Sequence, residues 1–312
     1  VTAPAPTRER TGAPPVERGR VVALVLHYDR PRGALACVRS LLRSTHPSYE
    51  IAVLDNGSSS AAVAELEAEL AGHVGVTLVR VSPNRGYTGG VNAAFEHALT
   101  TRAEFAWLLA DDTRVDAGTM AALVQALRAE PAAGIAAALT LYSSPPDRVW
   151  FAGGYVERAR LGRARHHGLD EPDRGQFKAG PVDYANGSSL FVRAEVLRKI
   201  GGLDDAYFTY WEDADFCARA AEAGFATWFE PAARVWHDVT PDTDARLDRG
   251  RLYDGRNRML WHARHRPGRL LPVLLWTLAA LPFYAAQGRA HEGWLQVKGV
   301  FAFLSGSKGR MR

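Results

Sequence analysis

The chain has 312 residues, 47% hydrophobic and 23% charged, with a formal charge of +4 and a pI near 9.2. That length can bury a full core, and the composition is ordinary for a globular protein. The mild basicity suits an anionic small molecule or an acidic membrane surface. It falls short of the dense basic patch of a nucleic-acid binder, so no nucleic-acid partner is expected.

Residues 1–19 are rich in Pro, Arg, Thr and Ala and contain no apolar core of the kind a signal peptide carries. They predict a flexible tail, and the absent leader predicts a cytoplasmic protein. "RVVALVLHY" (Arg20–Tyr28) is a continuous apolar run of strand length, as expected of a strand covered on both faces. "ALACVRSLLRS" (Ala34–Ser44) then carries Leu35, Val38, Leu41 and Leu42 at helical spacing. "YEIAVLDNGSSS" reads as a second buried strand ending at Asp55, followed by the helical "AAVAELEAELAG". "VTLVRVS" is a third strand, "PNRGYTGG" a loop, and "VNAAFEHALTT" a helix. "FAWLLADDT" is a fourth strand ending in two acids. Four strand–helix alternations predict an α/β fold with an open, mostly parallel sheet flanked by helices.

Ligands in such sheets bind beyond the carboxyl ends of the strands. Asp55, Asn84, Arg85, Asp111 and Asp112 fall at those ends, although loops are polar in any case. From Gly134 the pattern loosens. "GIAAALTLY" reads as a strand, "RARLGRARHHG" has no assignable element, and "SSLFVR" is a strand before a helix that ends at Gly201-Gly202. "FATWFEPAARVWHD" reads as two short strands ending at His237. "LLPVLLWTLAALPFYAAQ" (Leu270–Gln287) carries no charge but contains Pro272 and Pro282, and arginines flank it. It predicts a membrane-surface or re-entrant anchor, with a helical pair packed on the domain or on a second subunit, a route to a homo-oligomer, as the alternative.

No G-x-G-x-x-G, Walker A or G-x-S-x-G motif is present, which leaves dehydrogenase, P-loop and α/β-hydrolase readings without support. Cys37 and Cys217 lack C-x-x-C spacing and are expected to be buried thiols of a reducing compartment. The chemistry must come from acids and one late histidine. Asp111 and Asp112 at a strand end are candidates to hold a hard divalent cation, Mg2+ or Mn2+, with His237 as a further ligand. In "YWEDADFCARAAEAGF" (Tyr210–Phe225), Glu212, Asp213 and Asp215 follow two aromatics. Acids favour the first turn of a helix, yet a general base near a metal needs the same residue type.

The ordered set "VALVLHY", "VLDNGSSS", "NRGYTGGVNAAFEHAL", "LLADDT", "GSSLFVRAEVLRKIGGLDDAYFTYWEDADFCARAAEAGF" and "VWH" resembles the inverting family 2 glycosyltransferases of the GT-A fold, in their rhamnosyltransferase-like and galactofuranosyltransferase-like branch. The resemblance covers Val21 to Arg264. It implies a GT-A domain over residues 20–265, with a nucleotide-sugar half (20–133) and an acceptor half (134–265). Residues 266–312 become a C-terminal helical appendage. It implies that Asp55 accepts from the N3–H of a uracil or thymine ring and that Asn84, Arg85, Gly86 and Asn92 lie along the nucleotide. "LADDT" takes the place of the family's D-x-D motif, with Asp112 the metal ligand, Asp111 beside it and Ala110 where the first acid would stand. His237 becomes the second ligand and Asp213 the catalytic base, with Glu212 on an acceptor hydroxyl. Tyr210 and Trp211 are expected to form a sugar-stacking wall, and Gly187 and Ser188 to admit the acceptor. Arg256 and Arg258, in a basic stretch that would otherwise meet lipid head groups or solvent, are candidates for the diphosphate. The expected partners are a dTDP- or UDP-sugar and a glycan, glycolipid or glycosylated metabolite. Competing readings are a sugar-1-phosphate nucleotidyltransferase, which "HYDRPRG" serves poorly as a triphosphate loop, and a non-catalytic sugar-binding protein.

Overall fold

A computed structural model describes residues 15–159, 161–239 and 244–311. Most of the predicted tail lies outside them, but the first strand already begins at Glu17. The first part of the chain contains β1 (Glu17–His27), α1 (Pro31–Leu41), β2 (Tyr49–Asp55), α2 (Ser60–Leu70), β3 (Val76–Arg80), α3 (Gly86–Thr100), β4 (Ala103–Ala110), β5 (Thr113–Val115) and α4 (Thr119–Ala129). Next come β6 (Ala133–Tyr142), β7 (Val149–Phe151), β8 (Gly154–Val156), β9 (Ala164–His166), β10 (Gly180–Val182), β11 (Ser189–Arg193) and α5 (Ala194–Ile200). The chain ends with α6 (Glu212–Glu222), β12 (Ala226–His237), α7 (Asp244–His265), α8 (Pro267–Ala279), α9 (Leu281–Ala286) and α10 (Ala290–Leu304).

One large sheet runs in the order β10-β12-β6-β11-β4-β1-β2-β3, with β5 on β12 and β7 on β6. β1, β2, β3 and β4 are mutually parallel, as are β6 and β12, while β11 runs antiparallel between β4 and β6. β1 shows why its sequence is unbroken apolar. Val22 and Leu24 enter a core with α3, α5 and α6, whereas Val21, Ala23 and Val25 enter a second core with α1, α2 and α4. Each such buried aliphatic side chain contributes roughly 1.5–3 kcal/mol. Both cysteines are free and buried, and burial pushes each thiol up to about 12.

The two short strands expected before His237 are one strand, β12, whose register on β6 shifts between Glu230 and Arg234 around Pro231. The sheet places His27, Asp55 and Ala110 at the carboxyl ends of adjacent strands, and β12 brings His237 opposite Thr113.

The C-terminal helices are built on the domain through α7. Helices α7 and α10 approach closely at two glycines. A Cβ on Gly299 would lie 2.5 Å from the carbonyl oxygen of Leu252, and one on Gly255 would collide with that of Gln296. Across Pro267–Ala286, α8 and α9 form the one stretch among the described residues long and apolar enough to cross a membrane by length and composition. Only 11% of its most apolar window is buried, and Leu271, Leu275, Trp276 and Phe283 stand in solvent.

Candidate active site

A cleft of about 710 Å³ opens at the carboxyl ends of β1 and β4 and is closed on the far side by residues 184–188 and 209–213. On the β1–β4 side, the buried His27 Nδ1 lies 3.3 Å from Asp111 Oδ2. Arg30 donates to Asp112 Oδ2 at 2.9 Å. His237 Nε2 stands 3.1 Å from Asp112 Oδ1, yet that buried oxygen receives no hydrogen bond. Burial alone would raise the Asp112 carboxyl, but His237 and Arg30 outweigh it and hold the group below its ordinary range.

The opposite wall is the start of α6. Phe208, Tyr210 and Trp211 are in the left-handed region, with φ of 65°, 63° and 73°. None is glycine, and each such residue costs on the order of 1 kcal/mol. Trp211 caps the helix, and Glu212 and Asp213 occupy its first turn. A helix N-terminus favours carboxylates, but here burial wins. Asp213 is pushed up to about 6, held back by the backbone N–H groups of Ala214 (2.7 Å) and Gly187 (3.1 Å). Glu212 is pushed well above the carboxylate range by burial and by Asp213, and its Oε2 has no partner. Burial thus raises both adjacent carboxyls, and two backbone N–H groups restrain the rise at Asp213.

The cleft is lined by Asn84, Gly86, Asp111, Asp112, Gly187, Ser188, Tyr210, Trp211, Glu212, Asp213 and His237, so the structure brings these expected residues together. Other expected residues fall elsewhere. Asp55 is buried, accepts from the Ser58 N–H at 3.1 Å and is not on the cleft wall. Nor is Arg85, whose N–H donates to Asn56 Oδ1. The expectation for Asn92 is corrected: its Oδ1 accepts from Leu203 N–H at 2.7 Å and its Nδ2 donates to Leu203 O, which ties α3 to the loop before α6.

The expectation for Arg256 and Arg258 is also corrected. Both are fully buried on α7, the first bonded to carbonyls of Ala206, Tyr207 and Gly309, the second to Thr277 and Gln296. Helix α7 turns Arg256 and Arg258 inward, where the 206–207 carbonyls and the C-terminal helices supply acceptors, while its Arg249 and Arg264 stay exposed. Gly187 admits a neighbour other than a sugar, since the Tyr87 hydroxyl fills the space of its missing Cβ and donates to Gly187 O at 2.9 Å. Asp215, left open between helix terminus and catalysis, is fully buried and bonded to Tyr207, Arg219 and His265 at 3.0, 2.8 and 2.8 Å.

Sequence reasoning missed several wall residues. Arg30 follows β1 and reaches the acids. Asn186 turns its Oδ1 to Ser188 and leaves Nδ2 buried without a partner. Trp150, His166 and Tyr184 line the side near His237, with Trp150 edge-on to both His166 and His237. Asp254 comes from α7 and accepts from Trp211 Nε1 at 2.8 Å. Only the arginine beside a strand end was visible as a signal beforehand.

A β3-β2-β1-β4 parallel unit extended by β11, β6 and β12, with acids around one cleft at the strand ends, has the plan of a GT-A glycosyltransferase. Among solved structures, the mannosyltransferase PcManGT from Pyrobaculum calidifontis, in complex with GDP-Man and Mn2+, shares the fold at TM-score 0.59 and 14% identity, over 96% of this chain and 92% of that one. The sequence profile of glycosyltransferase-like family 2 matches residues 19–252, and the chain belongs to that family. A galactofuranosyltransferase of Mycolicibacterium smegmatis is 25% identical over 270 residues, 80% of this chain and 42% of that protein. An N-acetylglucosaminyl-diphospho-decaprenol L-rhamnosyltransferase of Mycobacterium tuberculosis is 38% identical over 63 residues, 20% of each. The chain thus spans less than half the length of these curated relatives.

Proposed function

We propose that this glycosyltransferase moves a sugar with inversion from a dTDP- or UDP-sugar, rhamnose-like by preference, to a hydroxyl of a glycan, glycolipid or glycosylated metabolite. The carrying observation is that one cleft joins the Asp112–His237 pair to the unequal carboxyls Glu212 and Asp213. The names of the galactofuranosyl- and rhamnosyltransferase relatives support the donor class.

Asp112 and His237 fit a divalent ion. The set is one hard carboxylate and one imidazole, and the buried Asp112 Oδ1 lacks a donor. Among the described residues no group of three or more His, Cys, Asp or Glu side chains is arranged for a metal. The pair would therefore hold Mg2+ or Mn2+ together with diphosphate oxygens and water. When bound, such an ion supplies charge stabilisation for the departing diphosphate.

Asp213 takes the proton of the acceptor hydroxyl as its oxygen bonds to the anomeric carbon, and the carbon–oxygen bond to the diphosphate breaks with its electron pair leaving on the nucleotide. Glu212, kept protonated by burial, donates a hydrogen bond to an acceptor oxygen. Arg30, rather than Arg256 or Arg258, is the cation placed to meet the diphosphate. Trp211, Trp150 and Tyr184 give the sugars apolar faces to stack on. On this reading α8 and α9 rest their exposed apolar side on the inner face of the cytoplasmic membrane.

The test is calorimetric titration with UDP, dTDP and GDP, with and without Mn2+. UDP or dTDP is expected to bind only with Mn2+, and about tenfold or more weakly in Asp112→Ala and His237→Ala. Binding of no nucleotide under either condition overturns the reading.

A further inference from the structure

We infer that Asn257 and Arg256 of α7 are positioning residues for the transfer reaction: they hold residues 206–211 in the strained path that delivers Trp211, Glu212 and Asp213 to the cleft. This rests on the reading of Glu212 and Asp213 as the reacting carboxyls.

The segment has three left-handed non-glycine residues among four, directly before the acids. Backbone in that state persists only where its surroundings over-determine it. Two side chains take the segment's carbonyls. Asn257 Nδ2 donates to the carbonyls of Tyr207 (3.1 Å), Thr209 (2.8 Å) and Tyr210 (2.7 Å). Arg256 Nη2 donates to Ala206 O at 3.1 Å and Tyr207 O at 2.8 Å. Arg256 Nε donates to Asn257 Oδ1 at 2.8 Å, which fixes the orientation of the amide. Both side chains are fully buried.

The residue types matter. A neutral amide nitrogen aims two hydrogens at three converging carbonyls without bringing a charge, and the planar guanidinium fork adds Ala206 O and shares Tyr207 O. Further along the segment the chain is held from the same helix, since Trp211 Nε1 donates to Asp254. Phe208 stacks on Tyr253 at 5.7 Å between ring centres. Arg256 also donates to Gly309 O at 2.6 Å, and Gly309 N–H donates to Ala206 O, so the C-terminal tail belongs to the same assembly. Asn257 and Arg256 lie beyond the region 19–252 that matches the family profile.

The experiment uses the full chain with Asn257→Ala and the isosteric Asn257→Asp, which cannot donate to the three carbonyls. Four quantities are read: melting temperature, Mn2+-dependent dTDP affinity, kcat and KM with dTDP-rhamnose or UDP-galactofuranose, and hydrogen exchange of peptides covering 205–213. Expected are a kcat at least about tenfold lower per folded molecule, dTDP affinity within about twofold, and faster exchange confined to 205–213. A wild-type kcat, a loss of rate that only follows the folded fraction, or unchanged exchange over 205–213 would each overturn the inference. If neither Asn257 variant folds, Arg256→Lys, which keeps the charge and loses the fork, is read in the same way. A wild-type protein that turns over neither donor would defeat the proposed donor class, while the exchange measurement would still decide whether Asn257 holds the segment.

Discussion

Glu212 and Asp213 are neighbours in one helical turn, and their difference comes from what each oxygen touches. Asp213 accepts two backbone N–H groups, which stabilise its charge, while Glu212 Oε2 is buried without a hydrogen-bond partner. Environments that push adjacent carboxyls apart separate a base from a neutral hydrogen-bond donor. The sign for activity follows. A base works when ionised, so kcat is expected to fall as pH drops through about 6, where Asp213 takes up its proton. Asp213→Asn should lower kcat by roughly 10³-fold at neutral pH and leave Mn2+-dependent nucleotide binding unchanged. A pH–rate profile flat between the ordinary carboxylate range and neutrality would remove Asp213 from the base role. Glu212→Gln, which copies a protonated side chain, should be far milder.

Helices α7 and α10 meet at Gly255 and Gly299, where the neighbouring atoms are backbone and have little room to move. Gly299→Ala should therefore destabilise the chain by about 1–3 kcal/mol in denaturant melts, whereas Gly268→Ala, at an open position in the first turn of α8, should not. An unchanged melt for Gly299→Ala would mean the helices can separate freely. These glycines also mark where sequence reading stops. Apolar runs of β1, β2 and β4 were legible because both faces of each strand are covered. Helix α3 was read as starting at Val91 because "GYTGG" looks like a loop. It begins at Gly86, and Gly90 is small because Asn56 and Leu26 press against it. Strands β5, β7, β8, β9 and β10 have three residues each, too few for an alternation to show. In the site, acids at strand ends were legible from the strands themselves. Asn186, Asp254 and Asn257 were not, because their roles arise from contacts across the fold, and Arg256 and Arg258 misled because charge says nothing about which way a helix turns.

At the scale of the whole molecule, an apolar face remains on α8 and α9. Leu271 and Phe283 are 63% and 65% exposed. The protein is expected to co-sediment with phosphatidylglycerol-containing vesicles, and Leu275→Glu with Trp276→Glu should leave it in the supernatant with donor binding intact. A wild-type protein that stays in the supernatant as a dimer would assign the face to a second copy instead. The sheet carries a different consequence. β11, from the later part of the chain, is inserted between β4 and β6. The stretches before and after α4 are therefore not lobes joined by a hinge but regions of one continuous plate, laced by backbone hydrogen bonds from edge to edge. Such a plate does not clamp shut on a nucleotide. Whatever shields the activated sugar from water must come from side chains and rim loops rearranging over a stationary floor, and the scattering profile of the protein should hardly change when the donor arrives.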